Sequence, residues 1–201
     1  MLFGLLILGL AGCSSKTLKP NYFTLTSQSA ISPNKEQSSV EAQAYLHDGV
    51  IGLGPIDIAD IYERAGVVTF NGAKVDISDR FFWGGKLSTA ISRKLAQDLK
   101  QRMPDTTFWS FPWDTRVRPK TQLGISVLEV GGELGGQVNL VVSWRLLGDR
   151  GRTLIKTGEF KSSNKSDIYP TNSRSYLAYV EAINACVDEL VVFLSAELSG
   201  S

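Results

Sequence analysis

Residues 137–147 read QVNLVVSWRLL, and their pattern decides the fold class. Val138, Leu140, Val142, Trp144 and Leu146 point one way along an extended chain, while Gln137, Asn139, Ser143 and Arg145 point the other. A period of two with one apolar side describes a strand that buries one face and wets the other, the habit of antiparallel sheets. Just upstream, residues 121–130 alternate as well, with Leu123, Ile125 and Val127 on one face, and GGELGG at 131–136 turns the chain between the two. Downstream, GDRG at 148–151 turns into a further strand at about 153–160, and residues 161–172 read as a polar loop. Nearer the N-terminus, strands at 67–70 and 74–78 flank Asn71-Gly72, a strong two-residue hairpin signal. Residues 50–58, VIGLGPIDI, suggest a strand with an edge or bulge at Pro55, which has no N–H for a ladder. Residues 59–66 read as a short helix or turn, and NYFTLT at 21–26 as a candidate first strand.

Two segments change period. From Gly85 to Met103, Leu87, Ile91, Leu95 and Leu99 recur every four residues, while Arg93, Lys94, Asp98 and Lys100 fall mostly off that stripe, and Pro104 ends the helix. From Ser173 to Leu198, Tyr176, Val180, Ile183, Val187, Leu190 and Leu194 make a second stripe, spaced for packing on a sheet or helix. Together the segments predict an α+β fold: a mainly antiparallel sheet with two long amphipathic helices packed on one face. Cys186 falls on the apolar side of the second helix and reads as a buried small hydrophobe.

The N-terminus reads differently. Residues 2–12, LFGLLILGLAG, are uncharged and apolar, and too short for a stable span, which takes about 20 residues. They suit the apolar core of an export signal. Leu10-Ala11-Gly12-Cys13 is a lipobox, so residues 1–12 are expected to be removed and Cys13 to carry lipid. Two or three acyl chains anchor stably where one does not. Ser14, rather than an aspartate, is compatible with sorting to the outer membrane. Residues 13–21 then form a lipidated tether, and residues 22–201 one domain with a flexible loop at about 27–48, which holds His47, the only histidine.

Composition narrows the function. Lys+Arg is 21 and Asp+Glu 20, so no basic surplus recommends nucleic acid as a partner. GGELGG joins two strands and opens no helix, so it is no phosphate cradle. No histidine pair, Cys-x-x-Cys or other metal-ligand spacing occurs, and no G-x-S-x-G elbow, so neither a cofactor, a metal nor a catalytic residue is expected. Two aromatic groups remain: Phe81-Phe82-Trp83 before the first helix, and Phe108, Trp109, Phe111 and Trp113 after it. Either they close the core at the two ends of that helix, or some stay exposed as a surface for a protein or lipid partner.

The ordered pieces resemble the PqiC/YmbA-like lipoproteins, the auxiliary lipoprotein component of ABC-type transport systems. Those pieces are the lipobox, Tyr22-Phe23-Thr24-Leu25, the run Pro55 to Arg64 followed by Val67-Val68, Phe82-Trp83-Gly84-Gly85-Lys86-Leu87, Phe111-Pro112-Trp113, the strand pair with Trp144, and the closing helix. The resemblance implies a non-enzymatic, periplasm-facing outer-membrane lipoprotein that docks onto an MCE-domain protein in intermembrane lipid transport, in a ring-like homo-oligomer if it matches its partner. Two alternatives remain: a lipid- or ligand-binding envelope lipoprotein with an internal apolar pocket, and a cell-envelope hydrolase.

Overall fold

The computed structural model describes residues 19–27, 49–114 and 116–200. The signal, the lipobox Leu10, Ala11 and Gly12, Cys13, Ser14 and nearly all of the 27–48 loop with His47 lie outside the described residues. Within them the chain runs β1 (Asn21–Phe23), β2 (Val50–Ile58), β3 (Gly66–Asn71), β4 (Lys74–Trp83), α1 (Leu87–Arg102), β5 (Thr107–Ser110), β6 (Thr121–Gly132), β7 (Gln137–Gly148), β8 (Thr153–Lys165) and α2 (Asn172–Ser199).

The fold is α+β, with two sheets where one was expected. Three strands lie in the order β1-β4-β3, and five in the order β5-β2-β6-β7-β8. The antiparallel ladders β3–β4, β6–β7 and β7–β8 carry most of the paired residues. β1–β4, β2–β5 and β2–β6 pair in parallel. Hairpin turns in the sequence mark only neighbours that follow one another, so the parallel partners, joined by long crossovers, leave no local signal.

Period-two patterning becomes burial along β7: Val138, Leu140, Val142, Trp144 and Leu146 are all in the core. α2 lies against β7 and β8, α1 against β2 and β5, and the helices touch each other. Each aliphatic side chain wholly buried in this way contributes about 1.5–3 kcal/mol. Cys186 is buried as expected, its thiol 3.6 Å from the Val138 carbonyl. α2 ends at Gly200, whose φ of 76° is the left-handed turn that glycine adopts without cost.

Several boundaries move. β1 stops at Phe23, so the expected strand over 21–26 is half as long. β4 runs on to Trp83, making Phe81-Phe82-Trp83 the end of a strand rather than a helix entry. β8 continues to Lys165, into the segment read as a polar loop. Residues 107–110 form an edge strand, β5. Pro55 falls in the irregular step between Leu53 and Ile56, beyond the reach of β5, as its missing donor requires.

The largest departure is at α1. Lys94 and Asp98, placed off the apolar stripe, are both buried, and the Lys94 side chain is wholly out of water. Lys94 Nζ meets Asp98 Oδ2 at 2.8 Å, donates to the Thr26 carbonyl at 2.8 Å, and pairs with Asp188 of α2. A buried ammonium is tolerable only with such partners. They come from three segments, and no helical period foretells them.

Candidate functional site

The two aromatic groups meet different fates. Phe81 (2% exposed) and Trp83 (6%) are core residues; Phe81 stacks on Tyr176 with ring centres 4.3 Å apart. Phe82 is half-buried against Tyr22, and Phe108 packs partly into the core. Trp109 (40%) and Phe111 (50%) stand in solvent. The structure therefore brings Trp109, Phe111 and Trp113 together at one corner and sends Phe81 and Trp83 inward.

Glycines on β2 make that corner. A Cβ at Gly52 would lie 2.6 Å from the Trp113 ring and 2.7 Å from Pro119, so only glycine lets both lie on the strand. Gly54 has φ of 112°, and a Cβ there would meet that of Phe111 at 2.9 Å. The Phe111 N–H donates to the Leu53 carbonyl (2.9 Å), and Trp113 Nε1 to the Trp109 carbonyl (2.9 Å). Phe111 meets Trp113 edge to face, with centroids 5.4 Å apart at 88°. Trp113 is thus satisfied and half-covered, while Phe111 is propped outward.

Beside Phe111 runs a groove of about 510 Å³, walled by α1 on one side and by Ser110, Phe111 and Pro112 on the other. Ser88, Ser92 and Ala96 recur every fourth residue on α1, a ridge of small side chains that keeps the groove open. Lys86 and Arg93 line it, and among the described residues the lining holds no carboxylate, although Glu63 accepts the Ser88 N–H at 2.8 Å. Arg93 also donates to Thr24 Oγ1 at 2.7 Å, tying this side of α1 to the N-terminal segment. The groove has an aromatic lip, a hydroxyl-lined wall and a positive rim, which suits a partner chain with apolar and acidic groups better than bond-making chemistry. Among the described residues, no three His, Cys, Asp or Glu side chains group to hold a metal ion. Nor is any helix among them long and apolar enough to cross a membrane.

The model of the ABC-type transport auxiliary lipoprotein component matches residues 30–194. The chain belongs to this family. The auxiliary lipoprotein fold also appears in solved structures. A crystal structure of an uncharacterized protein superposes with a TM-score of 0.66 at 15% identity, covering 90% of this chain and 99% of its own. Protein XCC0632 from Xanthomonas campestris superposes at 0.65 and 12% identity, covering 88% and 97%. At such identities the likeness is one of fold. No curated protein matches the chain. The family membership makes this an envelope lipoprotein serving ABC-type transport, as the order of motifs implied.

Reading the sequence missed two things here. It did not separate the exposed aromatics from the buried ones, because both runs look alike without their neighbours. It also missed the groove, for which Gly52, Gly54 and the Ser88-Ser92-Ala96 spacing were the available signals.

Proposed function

We propose that this chain is the outer-membrane, periplasm-facing member of an ABC/MCE-type intermembrane lipid transport system, and that it acts by position rather than catalysis. Acyl chains on Cys13 hold it, after cleavage behind Leu10-Ala11-Gly12, and Ser14 permits sorting outward. The tether from Ser14 to Pro20 spans at most ~25 Å at ~3.3–3.6 Å per residue, so the domain works close to its membrane. On this reading both helices cover one face of the five-stranded sheet and leave the Trp109–Phe111 corner free at the rim. That corner docks onto an MCE-domain protein reaching from the inner membrane, and several copies assemble in a ring around it.

The observation that carries the docking surface is the contrast between the aromatic runs: Phe81 and Trp83 are consumed by the core, while Trp109 and Phe111 are propped into solvent beside a groove. Aromatic side chains exposed in this way are the usual anchors of protein interfaces. Replacing Trp109 and Phe111 together by alanine should reduce co-purification with the MCE-domain partner from membrane extracts at least tenfold, with the melting temperature nearly unchanged. Undiminished recovery of the partner by this double variant would remove the corner from the interface. Finding no MCE-domain protein with the unmodified chain would remove the transport assignment itself.

A further inference from the structure

A second groove, of about 410 Å³, lies away from the aromatic corner, where β4 bulges. Gly66 pairs with Phe82 and Val68 with Ile77, so four residues of β4, Ser78 to Phe81, stand opposite Val67 alone. Ser78 Oγ accepts the backbone N–H groups of Arg80 (3.2 Å) and Phe81 (2.9 Å) and fixes the bulge. Bulges of this kind re-aim side chains, and here Arg80 joins the groove lining.

Apart from Asp76, the charged side chains that line this groove have no ion-pair partner among the described residues. The Arg80 guanidinium lies 5.7 Å from the centre of the Phe81 ring, and its Nε is shut off from water without an acceptor. Arg80 makes no ion pair with any described residue, although Asp79 and Glu133 line the same groove. Neither carboxylate has a cationic partner among the described residues, whereas Asp76 is paired with Lys74 at 2.7 Å. A simple anion would gain Arg80 and meet two unpaired carboxylates; a simple cation would meet the reverse. A ligand that carries both a negative and a positive group satisfies both poles.

The groove's position narrows the source. Asn21 of β1 sits opposite Phe81, so the chain enters β1 at the level of Arg80. Asn21, the first residue of β1, therefore stands opposite one of the residues that line this groove. We propose that the groove binds a phosphoethanolamine-type zwitterion, with its phosphate on Arg80 and its ammonium on Asp79 and Glu133, and that the bilayer under the anchor is the source. The bilayer as source rests on the membrane attachment proposed above, and the two charged poles of the groove stand without it.

The test is a titration of the purified full-length protein with dihexanoyl phosphatidylethanolamine, dihexanoyl phosphatidylglycerol and glycerophosphoethanolamine, following the Arg80 Nε–H resonance. The ethanolamine lipid should shift that resonance and bind at least tenfold more tightly than the glycerol lipid, which lacks an ammonium. Arg80→Gln, followed by the backbone amide resonances of Glu133 and Leu134, should abolish the tenfold preference for the ethanolamine lipid. Asp79→Asn and Glu133→Gln, both at exposed positions, should each weaken binding several-fold with unchanged melting curves, which covers the case in which the arginine variant folds poorly. Tighter binding of the lipid than of glycerophosphoethanolamine supports the bilayer as source; equal binding supports a free headgroup. Equal affinity for the two lipids, or carboxylate variants that bind like the parent, overturns the proposal. Membrane fractionation of Cys13→Ser reads the anchor separately, so a failure of attachment is not mistaken for a failure of the groove.

Discussion

Lys94 brings a full charge into the seam between α1 and α2, and its removal is the sharpest single-residue test of the packing. Lys94→Met removes the ammonium that Asp98 and Asp188 share. Breaking a buried pair costs about 3–5 kcal/mol. The lower end is expected here, because the Asp188 side chain keeps 26% of its surface in water; urea unfolding reads the loss. Tyr179 offers a second test. Its hydroxyl donates to the Val68 carbonyl at 2.9 Å and accepts the Gly132 N–H at 2.9 Å, joining the two sheets. Tyr179→Phe should cost about 1–3 kcal/mol by leaving those groups unpaired. Burial pushes the Tyr179 phenol well above its ordinary value of 10.0, against the weaker opposing pull of the Gly132 hydrogen bond. Because the folded form holds this proton more tightly than the unfolded form, the stabilisation is complete below pH 10. It is lost as pH rises beyond that, by up to ~1.4 kcal/mol per pH unit. Tyr62, also raised by burial, acts in the same direction, so Tyr179→Phe should flatten the alkaline slope only in part. Neither residue was legible in advance. Lys94 sits at a polar position of the helical period, and Tyr179 lies beside the Tyr176–Val180 stripe; their roles come from β3, β6 and α2 arriving from far along the chain.

The elements themselves were better marked. Asn71-Gly72, GGELGG and the 3.6-residue stripes all stand where turns and helices form, because each is a local preference that the tertiary structure leaves alone. What escaped was extension. β4 and β8 each run five residues past their expected ends, since the strand is carried on by a neighbour rather than by its own alternation. The β4 bulge depends on Gly66, where an added Cβ would lie 2.1 Å from the Ser78 carbonyl oxygen. Gly66→Ala must push the bulge away and should cost about 1–3 kcal/mol, the usual penalty of overpacking. It should also disturb the Arg80 side-chain resonance while leaving the helical circular dichroism unchanged. A variant as stable as the parent would show that the bulge does not need this glycine.

At the scale of the molecule, α+β composition and the order of elements were readable, and the division into two sheets was not. The two sheets share one core. Phe81 of the smaller sheet stacks on Tyr176, and Tyr179 bonds to both. Urea unfolding followed by tryptophan fluorescence and by far-ultraviolet circular dichroism should therefore give coincident transitions; separated midpoints would mean that the sheets melt independently. The N-terminal segment adds a mechanical property. After β1, the chain follows α1, with Thr24 held by Arg93, Thr26 by Lys94 and Asn184, and Ser27 by Gln97. A pull applied at Asn21 runs along this row, so its bonds are loaded in shear, together, and not unzipped singly. With Cys13 lipidated as proposed, traction should draw the acyl chains from their bilayer before it opens this row, so that the folded body comes away whole.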